Sequence, residues 1–227
     1  MCRFFALRSD GPVDPVPWIA SFAERCRVSK EYQGHGWGVS WWDGEGWQRH
    51  RSVRPIWEEV PEELPSATIV LVHARSAFRN EGIVVENNMP FVADDMAFAF
   101  NGELRGVRLS VPGETGAAKL FELLRRFRAA DGNTEGALRR LDRVVTARTE
   151  YVRALNTVVS DGRDVWASSR YSEDPEYFTL WQAWLPLLAG GTSAVSSEPL
   201  DVDGQRPEWD PMPHGEILKI DRETTCS

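Results

Sequence analysis

The chain has 227 residues, enough for one large domain or two small ones. Its apolar content of 42%, with 11% aromatic residues, is ample for a hydrophobic core. A net charge of −8 and a pI near 5.1 argue against a nucleic acid or an anionic membrane as the main partner.

The three cysteines, Cys2, Cys26 and Cys226, are an odd number and lack CxxC or Cys/His ligand spacing. This pattern predicts a reducing compartment, with neither a disulfide framework nor a metal site. No apolar run approaches the roughly 18 residues that a membrane span requires, and no signal peptide is visible. The motifs GxGxxG and GxxxxGK[ST] are absent as well. We therefore expect a soluble cytoplasmic protein without a cofactor.

The first half of the chain predicts short strands separated by turns. The first strand covers residues 2–7 and is followed by a breaker at residues 10–12. A helix is predicted over residues 18–28, because Trp18, Phe22 and Cys26 share one face. Further strands are predicted at residues 36–42, 47–53, 68–75 and 96–100, the last of them ending at Asn101-Gly102.

The second half begins with two amphipathic helices, predicted over residues 117–129 and Thr134–Ala147. Their arginines are interleaved with acidic residues, which indicates solvated faces and not a nucleic-acid stripe. Strands return at residues 151–160, 164–168, 176–181, Thr192–Ser196 and 216–220. This order predicts layers of helix and sheet around stacked sheets, without alternating βαβ units.

The pair Met1-Cys2 is the first candidate for chemistry. Methionine aminopeptidase tolerates a small second residue, so removal of Met1 would leave a thiol and a free α-amine on Cys2. That amine has an ordinary pKa of about 7.7–8.0 and can take the thiol proton without a separate histidine. The alternative is that Cys2 is a small apolar residue that opens the first strand.

Four groups of residues extend this interpretation: 1–5 (MCRFF), 32–39 (YQGHGWGV), 73–77 (HARSA) with 86–91 (ENNMPF), and 98–103 (FAFNGE). In this order and spacing they resemble class II glutamine amidotransferase domains, which are N-terminal-nucleophile (Ntn) hydrolases. The standalone single-domain branch, which includes the γ-glutamyl hydrolase of ergothioneine biosynthesis, is the more similar one. Weaker likenesses at residues 156–166, 196–200 and 213–220 extend the resemblance over nearly the whole chain, and predict one domain spanning residues 1–227.

The resemblance implies an α+β fold, a four-layer α/β/β/α sandwich of two antiparallel sheets. It implies Cys2 as the nucleophile and Asn101 with Gly102 as the oxyanion hole, where donors stabilise the charge that develops on the carbonyl oxygen. It also assigns Arg75 to the substrate α-carboxylate, a role suited to its bidentate fork. From the residues alone, a type I′ hairpin turn is the favoured interpretation of Asn101-Gly102, and a surface ion pair at a strand end explains Arg75 equally well.

Three more candidates for substrate binding come from residues 32–39. Gly34 and Gly36 would let the backbone approach a ligand, although a flexible turn explains them equally well. Trp37 is a candidate contact, and packing is the favoured interpretation of its side chain.

The departures from the family pattern are also informative. Family members usually carry Thr-Asp-(Ser/Thr)-Glu ahead of the long helix, and the Asp binds the α-ammonium of glutamine. Here Gly116 replaces that Asp and Ala118 replaces the Glu, while Met89 and Phe100 stand where the family commonly has His. A lost charge-assisted hydrogen bond is worth about 1.5–3 kcal/mol. The catalytic residues are kept, and the pocket around Gly116 and Met89 predicts an altered substrate.

The leading hypothesis is an amidohydrolase that cleaves a γ-glutamyl or glutamine-like amide through a thioester on Cys2. One alternative is a glutaminase subunit that supplies ammonia to a separate acceptor enzyme. Another is a catalytically silent relative that binds a ligand. In each case the expected partner is a small molecule or that acceptor enzyme, and neither a nucleic acid, a membrane nor a metal ion is expected.

Overall fold

The structure is a computed structural model that describes residues 1–204 and 206–221, so Cys226 lies outside the described residues. The strands are β1 (Arg3–Val13), β2 (Trp37–Trp42), β3 (Trp47–Ser52), β4 (Ala67–Ala74), β5 (Phe91–Ala93), β6 (Met96–Val107), β7 (Thr149–Ser160), β8 (Val165–Ser168), β9 (Trp181–Leu185), β10 (Thr192–Ser196), β11 (Asp210–Pro211) and β12 (Ile217–Lys219). The helices are α1 (Val16–Arg27), α2 (Gly116–Asp131), α3 (Thr134–Ala147) and α4 (Pro175–Phe178).

The strands form two sheets. The first has seven strands in the order β11-β9-β10-β1-β4-β2-β3, and the second has five in the order β12-β8-β7-β6-β5. Neighbouring strands pair antiparallel throughout both sheets. Because β1 and β4 are adjacent in the middle of the seven-stranded sheet, the start of the chain lies inside the fold.

Two apolar cores separate the layers. On one face of the seven-stranded sheet, Phe5 and Val72 pack with Trp18 of α1. The other face contributes Phe4 and Leu71 to a core that it shares with the five-stranded sheet, α2 and α3. On the far side of the second sheet, Phe98 stacks on Phe121 of α2 with ring centroids 5.6 Å apart. The layers are therefore helix, sheet, sheet and helices, which confirms the predicted α+β sandwich of two antiparallel sheets.

Local sequence signals explain the ends of α2 and α3. Thr115 precedes α2 and its hydroxyl accepts a hydrogen bond from the Ala118 N–H at 3.1 Å. Gly132 ends the same helix with a φ of 72°, a left-handed conformation that glycine adopts without strain. Asn133 then caps α3 through the Gly136 N–H at 2.6 Å. Thr134, predicted as the start of α3, is its first residue.

The hairpin interpretation of Asn101-Gly102 is wrong, because β6 continues through this pair to Val107. Asn101 pairs with Asn156 and Gly102 with Leu155 across the sheet. A Cβ on residue 102 would lie 2.0 Å from the Ala154 carbonyl oxygen, so glycine here allows a close approach of β7.

Two other local predictions are also wrong. Residues 176–181 were predicted as a strand, but Pro175 opens the short helix α4 and β9 starts only at Trp181. Proline lacks the N–H that a sheet ladder needs, and it fits the first turn of a helix. The breaker at residues 10–12 does not end β1, which reaches Val13 across an irregularity in its pairing with β4.

Within residues 1–204 and 206–221, no helix has the length and apolar character to cross a membrane. The same residues contain no group of three or more His, Cys, Asp or Glu side chains arranged to hold a metal ion.

Candidate active site

The pairing of β1 with β4 decides what lies beside Cys2. Arg3 pairs with Ala74, so Cys2, just before β1, lies opposite Arg75, just after β4. The Ser76 N–H donates a hydrogen bond to Cys2 Sγ at 3.4 Å, and the sulfur lies 3.7 Å from the Ser76 carbonyl oxygen. The sheet register thus fixes the thiol next to the segment that carries Arg75.

A cavity of about 960 Å³ opens at this edge of the sheet. Four of the predicted site residues line it together: Cys2, Arg75, Met89 and Gly116. Phe100 and Glu103, which flank the Asn101-Gly102 pair, line the same cavity. The other predicted residues, Gly34, Gly36, Trp37, Asn101 and Gly102, lie outside its lining.

Burial raises the pKa of the Cys2 thiol, although the N-terminal ammonium, the Ser76 N–H and Arg75 act in the opposite direction. The thiol is therefore protonated at neutral pH and needs a base before it can act as a nucleophile. Met1 is still attached in this structure, so the Cys2 nitrogen is a peptide nitrogen and cannot serve as that base. A free α-amine on the same residue would supply it.

The Arg75 guanidinium is largely buried and is held by backbone oxygens. Its Nη1 donates to the Gly82 carbonyl at 2.7 Å, and its Nη2 to the Glu81 carbonyl at 3.4 Å. Burial lowers the pKa of Arg75, although an arginine stays charged under all ordinary conditions. None of the carboxylates in residues 1–204 and 206–221 forms an ion pair with it. A buried cation at the wall of a cavity is thus left without a counter-ion.

The Asn101 side chain is completely buried, yet neither its oxygen nor its nitrogen has a hydrogen-bond partner among the described residues. An unpaired buried polar group costs about 1–3 kcal/mol. Its partner across the sheet, Asn156, is buried in the same way but donates to the Phe178 carbonyl at 2.6 Å and accepts from the Arg170 N–H at 2.9 Å. The two asparagines therefore differ: Asn156 ties the fold together, while Asn101 has free hydrogen-bonding capacity.

Gly34, Gly36 and Trp37, the three candidates from residues 32–39, each lie close to other parts of the protein. Gly36 has a φ of 111°, and a Cβ there would lie 2.1 Å from Asn88 Nδ2. A Cβ on Gly34 would lie 2.2 Å from the ring of Tyr32. Trp37 is buried in the core beneath α1 and its indole N–H points to Glu59 Oε2 at 3.4 Å. The two glycines lie in the turn that leads into β2, and Trp37 is the first residue of that strand.

The opposite wall of the cavity is formed by the start of α2. Gly116 is the first residue of that helix, and a Cβ there would meet no atom within 4 Å. Met89 is buried and Phe100 nearly so, and both pack in the core shared by the two sheets. The cavity lining therefore carries no acid at Gly116 and no histidine at Met89 or Phe100, where the family pattern would place them.

Met1 is held by a cluster of residues that no sequence pattern indicated. We call it the Met1 cradle and define it as Glu31, Gln33, Arg153 and Tyr177. The Glu31 carboxylate pairs with the Met1 ammonium, and Arg153 Nη2 contacts its other oxygen at 3.1 Å. The Met1 carbonyl oxygen accepts hydrogen bonds from Gln33 Nε2 and, at 3.1 Å, from the Tyr177 hydroxyl.

The members of the Met1 cradle are up to 146 residues apart in the chain, between Glu31 and Tyr177. Of these four residues, only Gln33 lies within one of the motifs that indicated an active site, residues 32–39. Burial raises the pKa of Glu31, but the hydrogen bond and charge of the Met1 ammonium, together with Arg153, outweigh it and leave that pKa below its usual value. Glu31 is therefore an ionised carboxylate at neutral pH.

Comparisons with known proteins identify the family and the fold. The profile of the glutamine amidotransferases of class II matches residues 1–179. A glutamine aminotransferase class-II domain protein from Silicibacter pomeroyi is similar in structure, with a TM-score of 0.62, 22% identity, and coverage of 98% of this chain and 96% of the other. A predicted glutamine amidotransferase from Pseudomonas aeruginosa PA01 has a TM-score of 0.65 at 18% identity, with coverage of 96% and 97%.

The glutamine phosphoribosylpyrophosphate amidotransferase of Bacillus subtilis is similar over 98% of this chain but only 48% of its own length, with a TM-score of 0.65 and 20% identity. This chain thus spans about half of that enzyme. No curated protein matches the chain significantly. At these identities the solved structures show a shared fold, and the family profile, which covers most of the chain, shows the family. The chain belongs to the class II glutamine amidotransferases.

Proposed function

We propose that this protein is an amidohydrolase in which Cys2, exposed by removal of Met1, cleaves a γ-glutamyl or glutamine-like amide. The observation that carries the proposal is that the Cys2 thiol and the Arg75 guanidinium line one cavity. Arg75 has no carboxylate partner among the described residues, so a substrate carboxylate would supply the missing counter-ion. Membership of the class II glutamine amidotransferases supports the same class of substrate.

In the proposed reaction the free α-amine of Cys2 takes the thiol proton, and the sulfur attacks the amide carbon. The carbon–nitrogen bond then breaks, and the leaving amine departs with that proton, which leaves a thioester. Water adds to the thioester as the α-amine takes one of its protons, and the carbon–sulfur bond breaks. The products are a carboxylic acid, a free amine and the regenerated thiol.

The proposed oxyanion donors are the Asn101 side-chain amide and the Gly102 backbone N–H. Support comes from the unpartnered state of the buried Asn101 side chain. A preplaced donor lowers the barrier only if it is not already used, and loss of one such donor typically costs about 2.7–4 kcal/mol. The contrast with the fully bonded Asn156 makes Asn101 the better candidate for this role.

The first residue of α2 favours a γ-glutamyl conjugate over free glutamine as the substrate. Free glutamine and a γ-glutamyl conjugate both carry an α-ammonium on the glutamyl part, which the family binds with an Asp at the position of Gly116. Here that position is open space without an acid, so both substrates lose this part of their binding energy. A conjugate can replace it through contacts between its amine portion and the cavity, whereas free glutamine has only ammonia as its leaving group.

A second candidate is a glutaminase subunit that passes ammonia to a separate acceptor enzyme. It is favoured by the comparison with the Bacillus subtilis amidotransferase, in which a domain like this one makes up only about half of the chain. In this case glutamine would be the substrate, and activity would depend on the acceptor protein.

The experiment is a comparison of substrates with protein whose Met1 status is known. Protein is expressed, sorted by intact mass into Met1-free and Met1-retaining forms, and assayed for ammonia from glutamine and for amine release from γ-glutamyl amides. We expect turnover only by the Met1-free form, with γ-glutamyl amides preferred. Turnover of glutamine alone would support the ammonia-supplying function, and full activity of the Met1-retaining form would refute the N-terminal-nucleophile mechanism.

A further inference from the structure

The Met1 cradle is part of the same cavity as the nucleophile. Met1, Glu31 and Arg153 line the cavity together with Cys2. Met1 is joined to Cys2 by one peptide bond, so its atoms fill the space next to the Cys2 nitrogen. Removal of Met1 therefore enlarges the cavity at the point where the Cys2 amine would act.

The contacts that the cradle makes with Met1 are those expected of a binding site for a small molecule that carries an amine. Glu31 pairs with the Met1 ammonium, and Gln33 and Tyr177 donate to the Met1 carbonyl oxygen. The Met1 side chain packs against an apolar surface that includes Ala154 and Phe178. A site with one acceptor for a cation, two donors for an oxygen and an apolar floor fits an amine that carries further polar groups.

The cradle is held rigidly by residues that do not contact Met1. The Arg3 guanidinium stacks on the Tyr177 ring at 3.6 Å and donates to the Tyr177 carbonyl oxygen at 2.6 Å. Arg3 also pairs with Glu198 at 2.5 Å. Burial raises the pKa of Tyr177 to about 12, so its hydroxyl remains a hydrogen-bond donor at neutral pH.

The charges around the cradle favour a cation. Arg153 contacts three carboxylates, those of Glu31, Glu103 and Asp174, at 3.1, 3.4 and 2.6 Å. Asp174 has a second cation in Lys30, at 3.7 Å, and Glu103 has one in Arg105. The second cation that Glu31 contacts is the Met1 ammonium. Removal of Met1 therefore takes this second cation away from Glu31.

We propose that the Met1 cradle, once Met1 is removed, binds the leaving group of the substrate, with Glu31 as the counter-ion of a protonated amine on that group. The inference rests on the proposed function, because the leaving nitrogen takes its proton from the Cys2 amine and so departs into the space that Met1 filled. The substrate class is a γ-glutamyl amide of a diamine or of an amine-bearing, amino-acid-like molecule. Arg75 would hold the glutamyl end and Glu31 the other end.

The test uses two amides that differ in one charge: the γ-glutamyl amides of 1,3-diaminopropane and of n-butylamine. Met1-free wild-type protein is expected to hydrolyse the cationic amide with a kcat/KM about 10- to 100-fold higher, the effect of one charge-assisted hydrogen bond. In Glu31→Gln this preference is expected to disappear through a rise in KM for the cationic amide alone. The butylamide serves as an internal check that the variant is folded and active.

Glu176→Gln is the matched control. Glu176 is an exposed carboxylate nearby whose contact is Lys30 at 3.9 Å, and it is not in the lining of the cavity. This variant is expected to keep the wild-type preference. Equal rates for both amides in the wild type would overturn the inference. A Glu31→Gln variant that slows both amides equally would also overturn it, since it would place Glu31 on the Cys2 amine instead.

A binding measurement separates this inference from the proposed function. Met1-free Cys2→Ala protein is titrated with 1,3-diaminopropane and with n-butylamine by calorimetry. Binding of the diamine alone, lost in Glu31→Gln and in Met1-retaining protein, would support the subsite even if no amide were hydrolysed. If the diamine does not bind to the Cys2→Ala variant while Met1-free wild-type protein hydrolyses the butylamide, the subsite is overturned and the proposed function remains intact.

Discussion

The two walls of the cavity are built differently. One wall, which we call the sheet wall, lies where β1 begins and β4 ends, and there strand register and backbone hydrogen bonds hold Cys2, Arg75 and Ser76. The other wall, which we call the helix wall, is the first turn of α2, where Gly116 faces open space. The first wall carries a thiol and a fixed positive charge, and the second carries no charge at the position where the family has an acid.

The two walls therefore differ in how easily a substitution can change them. Moving Cys2 or Arg75 would require a change in the register of the central strands, which would turn every side chain of a strand to the other face. A residue at the start of a helix can change with little effect on the core, because its side chain is not packed. We infer that the sheet wall supplies the reacting group and the charge for the substrate carboxylate, and that the helix wall sets how strongly the α-ammonium is held.

The largest expected effect tests the sheet wall at its nucleophile. In Met1-free protein, Cys2→Ala should lower turnover by about 10⁴-fold or more, since the nucleophile is lost. Cys26→Ala is the matched control: Cys26 lies on α1 and is buried in the other core, so its loss should cost stability but not activity. Cys226→Ala should also leave activity unchanged. Steady-state amide hydrolysis measures all three, and normal activity of Cys2→Ala would exclude the mechanism.

The second-largest effect on turnover is expected at Asn101 of β6, which pairs with Asn156 of β7. Asn101→Ala should lower kcat by about 10²- to 10³-fold, through the loss of one oxyanion donor. It should hardly change the melting temperature, because the side chain makes no hydrogen bond with the described residues. Asn156→Ala should show the opposite result, a lower melting temperature, since it loses two buried hydrogen bonds. A large loss of stability in Asn101→Ala would assign it a structural role.

A smaller effect is expected at the positive charge of the sheet wall. Arg75→Lys should raise KM by about 10- to 100-fold for amides with an α-carboxylate, because lysine cannot form the bidentate pair. An otherwise identical amide without that carboxylate should be affected much less. Arg51→Lys is the control, since Arg51 donates to the Glu86 and Asn88 carbonyls at 3.1 Å and is not in the cavity lining. Equal losses for both amides would contradict the assignment.

The helix wall can be tested by restoring what it lacks. Gly116→Asp should improve kcat/KM for free glutamine by about 10-fold, the value of one charge-assisted hydrogen bond to the α-ammonium. The position has room for a Cβ, and an acid in the first turn of a helix is favourable. Ala118→Asp gains the same dipole interaction but lines a different surface hollow, so glutamine turnover should not change. No gain in Gly116→Asp would show that this wall does not contact the α-ammonium.

The smallest effect on turnover is expected at His73, which lies on β4 behind the sheet wall. Burial, together with the nearby charge of Arg75, lowers its pKa to about 3, and the Phe100 backbone opposes this shift only slightly. The folded protein therefore keeps His73 neutral between about pH 3 and 6.5, where the unfolded chain binds the proton. The free energy of unfolding should fall as the pH drops through this window, by up to about 5 kcal/mol from this residue.

Denaturant unfolding at pH 7 and pH 4.5 measures this effect. His73→Gln should lose much of the pH dependence, while His50→Gln, which alters an exposed histidine, should retain it. Activity near neutral pH should not report a titration of His73. Equal pH dependence in the two variants would contradict the assigned pKa.

Sequence patterns correctly predicted those elements that depend on residues close together in the chain. The helical spacing of Leu120, Leu123 and Leu124 predicted α2, and Thr192–Ser196 was predicted with its observed bounds. The pattern failed at Asn101-Gly102, because the same two residues suit a tight turn and a strand that another strand approaches closely. Only the contact with β7 decides between them.

The sequence by itself determined the order of the motifs and, through the family resemblance that they carry, the α+β fold, because each motif is a short run of neighbouring residues. The tertiary structure alone decided that Glu31, Gln33, Arg153 and Tyr177 meet around Met1. It also left Arg75 without a carboxylate partner among residues 1–204 and 206–221 and Asn101 without a hydrogen bond there. The physical reason is that ion pairs and buried polar contacts between distant residues have no periodicity along the chain, and arise only when strand register brings those residues to one place.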